Sequence, residues 1–311
     1  MNKMLLDIVI NALMLATMWT MAPSCRSRSG EGIPAQGHED VAARSVGGQA
    51  TTLSLLTYNV LADPLAVQER VPRLLEVIGE SKADVVALQE VAPWFLELLA
   101  REAWIGEYDY SRFDGAMAAP GGQLILSRFP IQASYYRVLP GPQRRTVVVS
   151  TIAVNGRSIA IATTHLDSPL ESGPTRAEQL DAIFGMLEPA DEAILAGDLN
   201  FGDGEEPETS HLPSSYVDLW LNLAGGMPGY TWNIEASDMA RLTSFPGEPS
   251  RRLDRIIVRS VEWVPGAVSI VGDSPVHPGS KDLFPSDHFG VLGVLKPARG
   301  SAFHAGCPRG G

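Results

Sequence analysis

The sequence predicts an α/β fold in which two mostly antiparallel, mixed sheets pack face to face with helices on the outside. Three observations lead to it. Apolar residues make up 45% of the 311 positions, enough for a substantial core. Runs with helical spacing at 68–80 and 174–187 are interleaved with short β-branched or leucine-rich runs. Many neighbouring strand runs are joined too tightly for a crossover helix, which argues against a purely parallel, doubly wound sheet.

Taken in order, residues 53–57 read as the first strand. A helix follows at 68–80, where Val71, Leu74, Leu75 and Ile78 recur on one face. A second strand at 84–88 completes a strand, helix, strand unit. Pro93 opens another helix, since proline suits a first turn, and Phe95, Leu96, Leu98 and Leu99 give it a broad apolar face. From Gly121-Gly122 to Thr163 the chain reads as successive strands, with Asn155-Gly156 as a tight hairpin turn between 147–154 and 158–163. In the 174–187 helix, Ala177, Leu180, Ile183, Phe184 and Leu187 fall in register. A strand at 193–196, a short helix over 217–223, and closing strands at 255–258 and 291–295 complete the set.

Residues 1–22 carry Lys3 and then an apolar stretch interrupted by Asp7 and Asn11, the pattern of an export signal, with a retained amino-terminal anchor as the alternative. Export to the periplasm, envelope or medium is therefore expected. Cys25, after Met21-Ala22-Pro23-Ser24, is a weak lipidation candidate because Pro23 fits such a signal poorly. Residues 23–50 read as a flexible linker, 51–297 as the catalytic domain and 298–311 as a flexible tail. Cys25 and Cys307 are the only cysteines, so a disulfide framework and a thiolate metal site are both excluded. A formal charge of -12 disfavours a long basic track for duplex nucleic acid. A local basic patch is still open, at Arg144-Arg145 or at Arg251, Arg252 and Arg255.

Polar residues sit at the ends of the strand runs. Asn59 follows the first, Glu90 the second, His165 the 159–163 run, and Asp198 and Asn200 the 193–196 run, while Asp254 opens 255–258 and Asp287-His288 precede the last strand. Gathered at one rim, such carboxylates, carboxamides and imidazoles would hold a hard divalent cation beside a phosphate. Asp198 and Asn200, two apart in an extended segment, would face the same way and hold one water. His165 and His288 would donate to phosphate oxygens as charge builds, with Asp254 fixing an imidazole tautomer. Asn59 would bond the ligand carboxylate or a phosphate oxygen. Each residue alone has a plainer reading: Glu90 in solvent or an ion pair, Asp-x-Asn as a turn, and Asp254 salt bridged to a neighbouring arginine.

Together the motifs Tyr58-Asn59, Leu88-Gln89-Glu90, His165-Leu166-Asp167-Ser168, Gly197-Asp198-Leu199-Asn200, Leu253-Asp254-Arg255-Ile256 and Ser286-Asp287-His288 follow one order over about 51–297. In this the chain resembles the exonuclease, endonuclease and phosphatase superfamily. Tyr216-Val217-Asp218-Leu219-Trp220, Tyr230-Thr231-Trp232 and Phe284-Pro285-Ser286-Asp287-His288 look most like its tyrosyl-DNA phosphodiesterase branch, which removes tyrosine from a 5′ phosphate. The resemblance implies a four-layered α/β sandwich and Mg²⁺ or Mn²⁺ on Glu90, with Asn59 and Asp287 near the metal. It also implies Asp198 and Asn200 at the nucleophilic water, His165 and His288 around phosphate, and Asp254 paired with His288. One position departs: where that branch has an arginine two residues after the Gly-Asp-x-Asn motif, this chain has Gly202. That removes a phosphate or DNA clamp.

The expected function is a metal-dependent, monomeric phosphodiesterase using an activated water on nucleic-acid ends or aryl phosphodiesters, with Trp232 flanking a base, a sugar or an aryl leaving group. The substrate would be short, single-stranded or end-modified rather than internal sites of a duplex. Two alternatives stand beside it. One is a phospholipid or phosphoinositide head-group phosphodiesterase or phosphatase; the other is an inactive binding module, against which the intact Glu90, Asp198 and His288 argue.

Overall fold

The computed structural model describes residues 50–298, apart from 114, 115 and 225. The segments expected as export signal (1–22), linker (23–50) and tail (298–311) lie outside the described residues except for Ala50 and Ala298, and so do Cys25 and Cys307. Among the described residues no helix is long and apolar enough to cross a membrane.

The elements run β1 (Leu53–Asn59), α1 (Val67–Ser81), β2 (Val85–Gln89), α2 (Pro93–Leu99), β3 (Asp109–Tyr110), β4 (Leu124–Ser127), β5 (Ile131–Val138), β6 (Thr146–Val154) and β7 (Arg157–Thr164). Then come α3 (Gly173–Leu187), β8 (Ala193–Asp198), β9 (Val217–Asp218), α4 (Leu219–Leu223), α5 (Asp238–Thr243), β10 (Asp254–Arg259), β11 (Trp263–Val271) and β12 (Gly290–Pro297). They form two six-stranded sheets, ordered β11-β12-β1-β2-β4-β3 and β5-β6-β7-β8-β10-β9. Only β1–β2 and β7–β8 pair in parallel; every other described pair is antiparallel.

Alternation along each strand decides the layers. Leu53 and Leu55 of β1, Val85 and Ala87 of β2, Ile159 and Ile161 of β7, Ile194 and Ala196 of β8, and Ile256 and Val258 of β10 meet in one cluster between the sheets. The intervening Leu56, Tyr58, Val86 and Leu88 point outward to Val71, Leu74 and Ile78 of α1 and Phe95 and Leu99 of α2. On the other side, Ala160, Ala162, Ala193 and Leu195 meet Leu180, Ile183, Phe184 and Leu187 of α3. Helix, sheet, sheet, helix is the four-layered sandwich anticipated above.

Besides the short β3 and α5, which no apolar run in the sequence marks, the structure departs from the sequence pattern at two places. Residues 217–223 are not one helix: Val217 and Asp218 pair with β10, and Asp218 then caps α4 by accepting from the amides of Trp220 and Leu221. An aspartate whose carboxylate takes up the first free amides makes the helix start there. Strand β11 escapes the periodicity test because its register shifts between Pro265 and Ala267 and it lies at the sheet edge.

Candidate active site

Each inward strand face changes character toward one end of the seam between the sheets. On β1 the series is Leu53, Leu55, Thr57, Asn59; on β2, Val85, Ala87, Gln89; on β7 and just beyond it, Ile159, Ile161, Thr163, His165; and on β8, Ile194, Ala196, Asp198. Apolar side chains close the bottom, hydroxyls and an amide form a middle course, and ionisable groups stand at the rim. Gln89 Nε2 donates to Thr57 Oγ1 at 3.1 Å and to Thr163 Oγ1 at 2.8 Å, so it ties both sheets beneath the site. Because β1 and β2 run together and β7 and β8 run together, their last residues arrive side by side. The antiparallel β10 begins at the same rim, with Asp254 opposite Asp198 in register. Gly197 permits the closest approach: a Cβ there would lie 2.4 Å from the Thr164 carbonyl oxygen.

The structure thus brings Asn59, Glu90, His165, Asp198, Asp254, Asp287 and His288 into one cluster. Asn59 Nδ2 donates to Glu90 Oε1 at 3.1 Å and Asp198 Oδ2 at 3.0 Å, and its Oδ1 accepts from the Leu61 amide at 3.1 Å. Glu90 Oε2 accepts from the Ala62 amide at 2.9 Å. Glu90 is in the left-handed region at φ 59, where Gly122 supports it: a Cβ at Gly122 would lie 2.8 Å from the Val91 nitrogen. Held strain of this kind clusters at functional sites. His165 Nε2 and His288 Nε2 stand 3.5 Å and 3.6 Å from Asp198 Oδ2, and His288 Nδ1 is 2.8 Å from Asp254 Oδ2. The Ser286 hydroxyl donates to the Asn59 carbonyl at 2.7 Å and lies 3.2 Å from Asp287 Oδ1.

Two expectations need correction in their geometry. The extended segment stops at Asp198; Asn200 has φ 56, its amide N–H donates to Asp198 Oδ1 and its Nδ2 to the Leu166 carbonyl at 3.0 Å. Asp198 and Asn200 therefore form a turn instead of two side chains facing the same way. Trp232 is buried with Ala240 and Leu253 and packs against His288 at 4.8 Å between centroids with the ring planes tilted by 53°, so it walls the imidazole and offers little surface to a substrate. At Arg251, Arg252 and Arg255, where the sequence leaves a basic patch open, the charge is neutralised. Arg251 pairs with Glu205 and Glu248, and Arg252 and Arg255 pair with Asp203 and Asp218. Arg145 is different: it is half-buried, its side chain bonds Gln143 and Ser168 and, among the described residues, no carboxylate, and it acts electrostatically on Asp198 and Glu90. Arg145, one of the patch candidates in the sequence, thus stands within electrostatic reach of the site.

Burial opposes charge throughout, and the partners decide the outcome. Burial raises Asp198, but His288, His165 and Asn59 outweigh it and hold the carboxyl below its usual range. Glu90 is likewise lowered, with burial opposed by His165, the Ala62 amide and Asn59. His288 goes well above the ordinary imidazole value because Asp254 and Asp198 overcome its burial. Burial, partly opposed by His288, lifts Asp254 to about 6. His165 is lowered by burial.

Asp198, Asp254 and His288 offer ligand atoms within 4.8 Å of one another, a group that could hold a metal ion. Their hydrogen bonds point elsewhere, since His288 Nδ1 is taken by Asp254, and Asp198 already accepts from Asn59 and Asn200. Glu90 and Asp287 fit a hard cation better. Both bring carboxylate oxygens held by neutral donors, and Asp287 is lifted by burial and, after the opposing His288, by the Glu90 charge. A bound cation would relieve that repulsion, and oxygen donors of this kind suit a hard divalent ion.

The fold and this cluster define a class, and the chain belongs to the Endonuclease/Exonuclease/phosphatase family, whose pattern matches residues 56–288. Among curated relatives it is similar to tyrosyl-DNA phosphodiesterase 2 of Mus musculus, 28% identical over 258 residues that cover 79% of this chain and 66% of the relative. The chain thus spans just under two thirds of that relative's length. It is also 31% identical to sphingomyelin phosphodiesterase 5 of Mus musculus over 162 residues, 40% of this chain and 33% of that one. Among solved structures, D. rerio TDP2 complexed with single strand DNA product superposes with a TM-score of 0.68 at 25% identity, covering 79% of this chain and 100% of that chain.

Proposed function

We propose that this chain is a divalent-metal-dependent phosphodiesterase that hydrolyses phosphodiester bonds with an activated water at nucleic-acid ends or aryl phosphodiesters. The observation that carries the reading is the Asp198 carboxylate, buried at the rim with Asn59, His165 and His288 around it and Asp254 behind His288. Asp198 stays ionised at neutral pH and accepts a hydrogen from the attacking water, aiming a lone pair at phosphorus. The amide of Asn200 holds Asp198 in place. Asp254 fixes the Nδ1–H of His288, which leaves a charged Nε2–H to donate to the phosphate oxygens as negative charge builds. His165, whose Nε2 also faces Asp198, is the second imidazole that can donate to the phosphate. Glu90, Asp287 and Asn59 would hold the cation, which when bound neutralises charge on the phosphate.

The likeness to tyrosyl-DNA phosphodiesterase 2 and to a complex with single-stranded DNA product supports a single-stranded or end-modified nucleic-acid substrate. The partial match to a sphingomyelin phosphodiesterase supports a second reading, a phospholipid head group. The same proposal includes a monomer exported by residues 1–22. The test is a panel of 5′-tyrosyl oligonucleotide, plain single strand, supercoiled plasmid and sphingomyelin or phosphoinositide vesicles at matched Mg²⁺ and salt. The tyrosyl oligonucleotide is expected to react fastest, and excess EDTA to stop every reaction. Faster lipid cleavage selects the second reading; full turnover in EDTA, with metal content checked, overturns the mechanism.

A further inference from the structure

Arg70, in the first turn of α1, is fully buried and, among the described residues, makes no hydrogen bond to a carboxylate. Its guanidinium carries five N–H groups, and all of them end on backbone carbonyls. Nε donates to Leu65 at 2.8 Å, Nη1 to Val60 at 3.0 Å and Pro285 at 3.2 Å, and Nη2 to Leu61 at 2.9 Å and Asp63 at 2.6 Å. The guanidinium also lies 5.7 Å from the centroid of the Trp94 ring. Burying a cation is costly unless its hydrogen bonds are complete, so the fold keeps Arg70 for what those carbonyls hold.

They hold two segments that approach the cation site from opposite ends of the chain. The first, 60–65, carries the Leu61 amide that fixes Asn59 Oδ1 and the Ala62 amide that fixes Glu90 Oε2. The second begins at Pro285 and continues into Ser286, whose hydroxyl reaches the Asn59 carbonyl, and then into Asp287. We propose that Arg70 is a positioning residue for the cation site, setting Asn59 and Glu90 on one side and Asp287 on the other at a single spacing. This rests on the reading of Glu90, Asp287 and Asn59 as cation ligands. A lysine, with three donors and no planar fork, cannot reproduce the five contacts.

The test titrates Mn²⁺ alone into the full chain and its variants, following free Mn²⁺ by electron paramagnetic resonance, with far-UV circular dichroism and melting recorded without metal. The control is Glu90→Gln, which should weaken Mn²⁺ binding at least tenfold; a parent chain without Mn²⁺ binding, or a control without effect, refutes the ligand assignment itself. With the control behaving, folded Arg70→Lys should bind Mn²⁺ on the order of tenfold to a hundredfold more weakly, the loss typical of residues that orient ligands. Its kcat on a phosphodiester at fixed low Mn²⁺ should fall and recover at high Mn²⁺, with KM little changed. Parent-like Mn²⁺ affinity in Arg70→Lys overturns the positioning role. Should Arg70→Lys fail to fold, hydrogen exchange on the parent chain decides: Mn²⁺ should slow the amides at 61–62 and 286–288 together. Protection confined to one of the two segments overturns the proposal.

Discussion

Asp254→Asn isolates the charge behind His288 with almost no change of shape. Asp254 is fully buried, its Oδ2 is 2.8 Å from His288 Nδ1, and its backbone N–H donates to Thr231 Oγ1 at 3.0 Å. The asparagine keeps the volume and the backbone contact. Only two arrangements are then open to the imidazole. If the amide oxygen accepts from Nδ1–H, a neutral ring leaves Nε2 with a lone pair and no hydrogen for the phosphate. If the amide NH₂ donates to Nδ1, Nε2–H survives but the ring is uncharged. Either way the cationic donor is lost, because Asp254 and Asp198 are what overcome the burial of His288 and keep it protonated. Removing one preorganised charge-stabilising donor costs on the order of a hundredfold in kcat, or about 2.7 kcal/mol at 1.36 kcal/mol per decade. The histidine can shed its proton and Asp198 keeps its hydrogen bonds from Asn59 and the Asn200 amide, so melting should shift by only a few degrees. The assay is steady-state hydrolysis of an aryl phosphodiester at saturating Mg²⁺, with circular dichroism and melting on the same samples. A kcat within threefold of the parent would show that the charge on His288 does not act in the reaction.

Gly122→Ala should destabilise the domain by about 2 kcal/mol or more and weaken Mn²⁺ binding, since its φ is +77 and the new Cβ meets the Val91 backbone beside Glu90; unchanged melting and affinity would sever Gly122 from the Glu90 turn. Gln89→Ala strips the bridge between the Thr57 and Thr163 hydroxyls and leaves a cavity between the sheets, so a loss of about 2–4 kcal/mol is expected by denaturant titration. Gly202→Arg alone should do little for a 5′-tyrosyl oligonucleotide, because its Cβ would arise 2.8 Å from Glu205 Oε1, where an arginine is captured by that carboxylate. Combined with Glu205→Gln it should raise kcat/KM for that substrate several-fold; no gain in the double variant would dismiss the clamp argument.

Local features were legible along the chain. Period-3.6 apolar stripes placed α1 and α3, and the Asn155-Gly156 turn, both residues at positive φ, placed the β6–β7 hairpin. The polar residues that end the inward strand faces also belong to this local information, since a strand buries alternate side chains and must change character where it leaves the core. What the sequence could not carry is pairing across distance. Val217 and Asp218 look helical until β10 supplies a partner, and the shifted register of β11 masks its alternation. Arg251, Arg252 and Arg255 read as a basic patch until Glu205, Glu248, Asp203 and Asp218 close on them. Trp232 reads as a substrate platform until it is packed against His288, and nothing in the sequence marks Arg70, on which five carbonyls from two remote segments converge. Charge and exposure are set by neighbours in space, whereas periodicity is set by neighbours in sequence, and that is why chemical type was legible from the chain and electrostatic role only from the fold.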